Sequence, residues 1–177
     1  MSKQITLRPL DIPVALRIAE RPDATYEALR DDLGISTSTA HQAVERLSAA
    51  GIIRPHERKV NRHALLEFLE HGIRYAFPAV PHAGRERGVP TAHAGPPLAR
   101  EIVTSEPMVW PDPDGSAVGE PVDPLYAKAV ELPERCPSVY EMLTLVDALR
   151  AGRARERKLA IAHLRDRLAY GGALHHA

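Results

Sequence analysis

The stretch that decides the fold runs from residue 25 to residue 55 and reads TYEALRDDLGISTSTAHQAVERLSAAGIIRP. Thr25 and Ser36 are residue types that cap the N-termini of helices, and Gly34 is the type that ends a helix in the left-handed conformation. An apolar stripe at helical spacing follows Ser36 and consists of Ala40, Ala43, Val44 and Leu47. The spacing predicts two helices joined by a Gly-Ile-Ser turn, with the second helix ending near Gly51.

This layout is typical of a helix-turn-helix, in which the second helix lies in the major groove of DNA. Short hydroxyl side chains near its start permit close approach, and the backbone N–H groups there attract phosphate. The predicted exposed face lies opposite the apolar stripe and comprises Thr37, Ser38, Thr39, His41, Gln42, Glu45 and Arg46. Gln can bind adenine through two hydrogen bonds, and Arg favours guanine or phosphate. We expect Gln42 or His41 to read bases and Arg46 to hold phosphate.

The flanking residues complete a small domain. Asp11 predicts the cap of a preceding helix, and Asn61 predicts the cap of a following one. Between them, the apolar pair at residues 52–53 and Val60 enclose a charged run. This pattern predicts two short strands with a charged tip.

In these residues the chain resembles winged helix-turn-helix transcriptional regulators of the MarR and ArsR kind. The shared pattern is Leu33-Gly34-Ile35-Ser36 followed by Leu47-Ser-Ala-Ala-Gly51-Ile52-Ile53, and the resemblance covers about residues 10–62. It implies a DNA-binding domain in which residues 36–42 and Arg46 face DNA, while Arg54, Arg58 and Lys59 lie on a short wing. From that position we expect Arg54 and Arg58 to hold phosphate. The candidate DNA-binding residues are Thr25, Ser36, Thr37, Ser38, Thr39, His41, Gln42, Arg46, Arg54, Arg58 and Lys59.

Proline and charge divide the whole chain into three parts. Ten of the 16 prolines lie between Pro78 and Pro124. Residues 78–127 hold 3 basic and 7 acidic side chains, whereas residues 128–177 hold 9 basic and 6 acidic ones. We therefore predict a mainly α fold with a small β-wing. It comprises a winged helix-turn-helix domain at residues 1–77, a proline-rich, irregular, acidic connecting segment and a C-terminal helical pair.

The connecting segment carries one local signal. Residues 108–110 and 116–118 flank a Pro-Asp-Pro-Asp-Gly turn, which predicts a hairpin. Fifty residues without regular periodicity are too many for an ordinary loop. Because Met108, Trp110 and Leu125 are too apolar for a plain linker, we expect the segment to be ordered against helices, either its own or those of a partner.

The C-terminal pair offers two apolar stripes. Their members are Met142, Leu145, Val146 and Leu149 on the first helix, and Ile161, Leu164 and Leu168 on the second. Two helices cannot bury both stripes completely against each other, so a third surface is needed. That surface is either a second copy of the chain or the first and fourth helices of the same chain. Since proteins of this superfamily usually pair at two half-sites, we expect a homodimer formed through these seven residues.

Composition and motifs exclude several classes of protein. No Gly-x-Ser-x-Gly, P-loop or dinucleotide fingerprint occurs, so we expect no enzymatic activity. No His or Cys pair has zinc-type spacing, so we expect no metal and no other cofactor. No apolar stretch approaches the ~18 residues of a membrane span, and no signal peptide is apparent at the N-terminus. The single cysteine, Cys136, fits a reducing cytoplasm.

The sequence therefore predicts a cytoplasmic regulator of transcription that binds specific sequences of double-stranded DNA. We expect a repressor that acts as a homodimer, because a bound dimer can occlude a promoter. A second interpretation stays open at this point. In it, an antitoxin-like or adaptor protein binds a protein partner through residues 78–177, and DNA binding is secondary or absent.

Overall fold

Three helices and a turn open the structure. A computed structural model describes residues 5–170 of the chain. Helices α1, α2 and α3 span Asp11–Glu20, Tyr26–Leu33 and Thr37–Ala49. Their apolar faces meet in one core, to which α3 contributes the predicted stripe from Ala40 to Leu47.

Local side-chain chemistry sets the ends of α2 and α3. Thr25 Oγ1 accepts a hydrogen bond from the backbone N–H of Ala28 at 3.1 Å, and Ser36 Oγ accepts one from Thr39 at 3.0 Å. Between the two helices, Gly34 has a φ of 68°, in the left-handed region that glycine enters without a steric cost. The predicted turn and the predicted caps at Thr25 and Ser36 are confirmed. The predicted cap at Asp11 is wrong, because Asp11 is already the first residue of α1 and its side chain accepts the N–H of Arg8, which precedes the helix.

A short wing and two further helices follow. Strands β1 and β2 span Ile53–Arg54 and Lys59–Val60 and pair in an antiparallel manner. Helices α4 and α5 span Arg62–His71 and Ile73–Ala76. Asn61 Oδ1 caps α4 by accepting a hydrogen bond from Ala64 N–H at 3.2 Å. The predicted winged helix-turn-helix with a small β-wing is confirmed.

The proline-rich segment contains a three-stranded sheet. Strands β3, β4 and β5 span Glu86–Thr91, Met108–Pro111 and Ala117–Pro121. β3 pairs antiparallel with both of the other strands, while β4 and β5 run parallel to each other, so that the three close on themselves. The predicted hairpin is therefore wrong, although both of its strands form.

Close backbone packing explains why the turn at residues 111–115 does not reverse the chain. Gly88 of β3 lies opposite both Pro111 and Ala117, so β4 and β5 continue in one direction along the same neighbour. A Cβ on Gly115 would lie 2.1 Å from the carbonyl carbon of Gly88, which only glycine avoids. The alternation of apolar and polar side chains predicts strands, but it does not show whether two successive strands run parallel or antiparallel.

The C-terminal part is helical, as predicted. Helices α6, α7 and α8 span Leu132–Arg135, Pro137–Ala151 and Ala154–Tyr170. α7 lies at the centre and contacts α1, α5, β3 and α8. Side chains from all three predicted parts join one continuous apolar core. Within residues 5–170, no helix combines the length and the apolar character that crossing a bilayer requires.

The expected dimerisation surface is buried inside the chain. None of its seven side chains is more than 7% exposed: Met142, Leu145, Val146, Leu149, Ile161, Leu164 and Leu168. Helices α1, α4 and α5 of the N-terminal part cover α7 and α8. The prediction of dimerisation through these residues is therefore wrong. The packing supports the alternative, in which helices of the same chain supply the third surface.

A buried charge pair lies on α7. Arg150 Nη1 lies 2.6 Å from Asp147 Oδ1, and the two side chains are 5% and 1% exposed. The other carboxylate oxygen accepts hydrogen bonds from Thr91 Oγ1 at 2.7 Å and from Trp110 Nε1 at 2.6 Å. Arg150 Nε donates to the carbonyl of Phe77 at 2.7 Å. The pair thus joins α7 to α5, β3 and β4.

Replacing Asp147 tests how much stability this pair supplies. We expect Asp147→Ala to lower the free energy of unfolding by about 3–5 kcal/mol, because it leaves the guanidinium of Arg150 buried without its carboxylate. Urea unfolding followed by the fluorescence of Trp110 gives the value. Asp166→Ala, at an exposed position of α8, is the matched control and should change stability by less than about 0.5 kcal/mol. Equal effects of the two variants would contradict a central role for the pair.

Candidate nucleic-acid interface

Helix α3 presents a polar face to solvent. Ser38, His41, Gln42 and Glu45 are exposed, whereas Thr37 and Thr39 are half-buried. The opposite face is the buried stripe, which packs α3 against α1 and α2. The phase of the helix therefore leaves the predicted base-reading residues His41 and Gln42 accessible.

Hydroxyl groups at the helix ends are already engaged in caps. Ser36 Oγ lies 2.7 Å from Thr39 Oγ1 in addition to accepting the backbone N–H of Thr39. Thr25 is exposed, and its oxygen caps α2. Thr25 thus stabilises the start of α2, and Ser36 and Thr39 stabilise the start of α3, while Ser38 is exposed for contact.

Arg46 is bound within the protein. Its Nε lies 3.1 and 2.9 Å from the two carboxylate oxygens of Asp11, and its Nη2 lies 2.7 Å from Asp11 Oδ1. Asp11 is fully buried and also accepts the backbone N–H of Arg8 at 2.8 Å. Hydrogen bonding to this carboxylate raises the pKa of Arg46 above its ordinary value. The structure thus places the guanidinium between α3 and α1, which differs from the predicted phosphate contact.

The wing carries two exposed cations. Arg54 of β1 and Lys59 of β2 lie directly opposite each other in the strand pair. Within residues 5–170 neither side chain forms an ion pair. These two predicted residues are therefore available to an anionic partner. Glu57, at the tip of the wing, is also exposed.

Arg58, at the tip of the wing, folds back onto α2. Its Nη2 donates a hydrogen bond to the carbonyl of Ala24, and its guanidinium carbon lies 4.2 Å from the ring centroid of Tyr26. The backbone of Arg58 has a φ of 51°. Its Nε is buried and, within the described residues, has no partner. This side chain therefore supports the wing internally, which again differs from the predicted phosphate contact.

Tyr26 is a site residue that the sequence analysis missed. Its ring stacks on the ring of His41, with 3.4 Å between centroids and 22° between planes. The pattern of α2 gives no hint of a partner on the next helix, because the apolar stripe of α2 runs through Leu29 and Leu33. The available signal is composition, since Tyr26 is the only Phe, Tyr or Trp before Phe68.

A metal or small-molecule site has no support in the described part of the chain. No three His, Cys, Asp or Glu side chains within residues 5–170 are grouped so as to hold a metal ion. The wing and α1 enclose a shallow, half-open cavity of about 160 Å³. Its lining comprises Ile18, Ala19, Pro22, Lys59, Val60 and Arg62.

Comparison with known protein families agrees with this geometry. Residues 17–54 match a family model described as winged helix-turn-helix DNA-binding. The chain thus contains a winged helix-turn-helix domain of the DNA-binding type, and this domain supports a role in DNA binding. Searches of curated proteins and of solved structures gave no match.

Replacing Arg46 distinguishes its two roles. We expect Arg46→Ala to lower the free energy of unfolding by about 3 kcal/mol, because Asp11 would be left buried without its cation. Arg54→Ala, on the exposed wing, is the matched control and should leave stability within about 0.5 kcal/mol of the wild type. Chemical denaturation of the full chain measures both. If Arg46→Ala were as stable as Arg54→Ala, the internal role of Arg46 would be wrong.

Proposed function

We propose that this chain is a transcriptional regulator that binds specific sequences of double-stranded DNA. The observation that carries the proposal is the exposed polar face of α3 together with two exposed wing cations that form no ion pair among residues 5–170, in a domain that matches a DNA-binding family model. An α-helix fits the major groove, which is about 12 Å wide. In that pose Ser38, His41 and Gln42 approach base edges, and the amide of Gln42 can bind adenine through two hydrogen bonds.

The wing supplies phosphate contacts in this proposal. Like charges directly opposite each other destabilise an antiparallel strand pair, so the placement of Arg54 across from Lys59 favours an anionic partner. Each wing strand has only two residues, so we expect the wing to contact the DNA backbone without inserting deeply into the minor groove. Arg46 and Arg58 have no part in this contact, because their guanidinium groups bind within the protein.

Repression is the proposed direction of regulation. A protein that covers a stretch of promoter blocks polymerase by occupying the site, and this requires no additional activating surface. The C-terminal part packs onto the back of the DNA-binding domain, because α7 and α8 contact α1, α4 and α5. This packing adds bulk behind α3 without covering its polar face.

We also propose that the chain binds DNA as a homodimer. A single recognition helix reads few base pairs, and pairing at two half-sites doubles the contacts. Since the apolar stripes of α7 and α8 are buried, the contact between copies must use another surface. We expect sedimentation of the full chain with a selected duplex to give two chains per DNA. One chain per duplex would show that the protein acts as a monomer.

Replacing Gln42 tests base reading. A duplex enriched by the wild-type chain from a random pool serves as the probe, and a scrambled duplex of equal length as the reference. We expect Gln42→Ala to cost about 1–3 kcal/mol on the enriched duplex and to relax the preference at one base pair. Glu67→Ala, at an exposed position of α4, is the control and should bind like the wild type. Unchanged affinity and unchanged preference in Gln42→Ala would refute the proposed use of α3.

Replacing Lys59 tests phosphate contact with the same probes. We expect Lys59→Ala to weaken binding equally on the enriched and scrambled duplexes and to reduce the slope of log affinity against log salt by about 1. Lys158→Ala removes an exposed lysine from α8 and should leave the slope unchanged. The wing has no role in DNA binding if the two lysine variants give the same salt slope.

A further inference from the structure

The ring of Tyr26 lies between two polar groups. The centroid of the His41 ring is 3.4 Å from that of Tyr26, and the guanidinium carbon of Arg58 is 4.2 Å from the same point. Two groups so close to one centroid would collide if they shared a face of the ring. His41 and Arg58 therefore occupy opposite faces, and Tyr26 is the middle layer of a three-group stack.

This stack joins three elements of the domain through one side chain. Tyr26 is the first residue of α2, His41 lies on the exposed face of α3, and Arg58 lies at the tip of the wing. Arg58 also donates to the carbonyl of Ala24, just before α2, which holds the wing tip in place. The recognition helix and the wing thus contact the same ring.

The groups in the stack differ from those of the core. Leu29 and Leu33 bury the apolar face of α2, whereas Tyr26 is half-buried and its two ring partners are polar. Within residues 5–170, neither ring nitrogen of His41 has a hydrogen-bond partner. The imidazole is therefore held by one face while its nitrogens stay available for another molecule.

We propose that Tyr26 is a positioning residue for DNA recognition: its ring holds the imidazole of His41 and the guanidinium of Arg58, so that the recognition helix and the wing bind DNA as one unit. This inference rests on the proposed function. Tyr26 itself need not touch DNA. It fixes the side-chain conformation of His41 and the position of the wing before DNA arrives, which lowers the entropy lost on binding.

The stack has a spectroscopic signature that does not depend on DNA. In the full chain with ¹³C-labelled histidine, the ring-current field of Tyr26 should displace the ring resonances of His41, which the His41→Gln variant assigns. We expect Tyr26→Ala to abolish this displacement and Tyr26→Phe to retain it. A His41 spectrum that is the same in wild type and Tyr26→Ala would overturn the proposal, whether or not the chain binds DNA.

DNA binding tests the consequence. We expect Tyr26→Ala to lower the ratio of affinities for the enriched and scrambled duplexes by about twofold to tenfold, the range that one aromatic contact supports. Tyr26→Phe should restore the wild-type ratio, because stacking needs the ring and not the hydroxyl. Tyr75→Ala is the matched control, since Tyr75 is 77% exposed on α5 with Arg74 over its ring, and it should leave the ratio unchanged.

A double-mutant cycle separates coupling from simple loss of stability. If Tyr26 acts through Arg58 as well as His41, Arg58→Ala should weaken binding to the enriched duplex in the wild-type background and have little further effect on that affinity in Tyr26→Ala. Fully additive losses would contradict the coupling. If the wild-type chain enriches no duplex, the proposed function fails, and the histidine spectra alone then decide whether Tyr26 positions His41.

Discussion

The ion pair between Asp147 and Arg150 is the constraint on which the arrangement of the whole chain depends. A carboxylate that is 1% exposed requires complete hydrogen bonding, and its donors come from Thr91 and Trp110 in the sheet and from Arg150 on its own helix. Arg150 in turn donates to the carbonyl of Phe77, the residue that follows α5. Removing any one of these segments would leave a buried polar group without a partner.

Hydrogen bonds from α6 and α7 also reach the two helices that support α3. Ser138, at the start of α7, donates to Glu20 of α1 at 2.8 Å, and Glu20 also pairs with Arg17. Arg135 donates at 3.0 Å to the carbonyl of Asp31 near the end of α2, next to the turn that leads into α3. The C-terminal part therefore supports both helices on which α3 rests, through contacts between residues more than a hundred positions apart in the chain.

Sequence reasoning succeeded where the cause is local. The caps at Thr25, Ser36 and Asn61 and the turn at Gly34 depend on neighbours within four residues, so the pattern alone is enough to predict them. Helical spacing also predicted which face of α3 is polar and exposed. The same reasoning failed where the partner is distant: Arg46 binds a carboxylate 35 residues away.

The remaining errors have a related physical origin. An apolar stripe must be buried, yet its spacing does not show which surface buries it. The stripes of α7 and α8 were therefore compatible both with a second copy of the chain and with α1 and α4 of the same chain. Alternation predicted the strands around Trp110 without their direction, because the direction is set by close backbone contact between Gly88 and Gly115. The role of Arg58 was likewise ambiguous. Its partner is the backbone carbonyl of Ala24, and a pattern of side chains does not reveal a backbone acceptor.

The closure of β3, β4 and β5 has a consequence for how copies of this chain can meet. Open sheets carry an edge strand whose free N–H and C=O groups can recruit a strand from another molecule, a common route to aggregation. In this sheet each strand pairs with both of the others, so it has no such edge. Among the described residues, the strands outside it are the two-residue strands of the wing, too short to template an added strand. A segment with ten prolines in fewer than fifty residues is thereby folded into a unit that resists strand exchange.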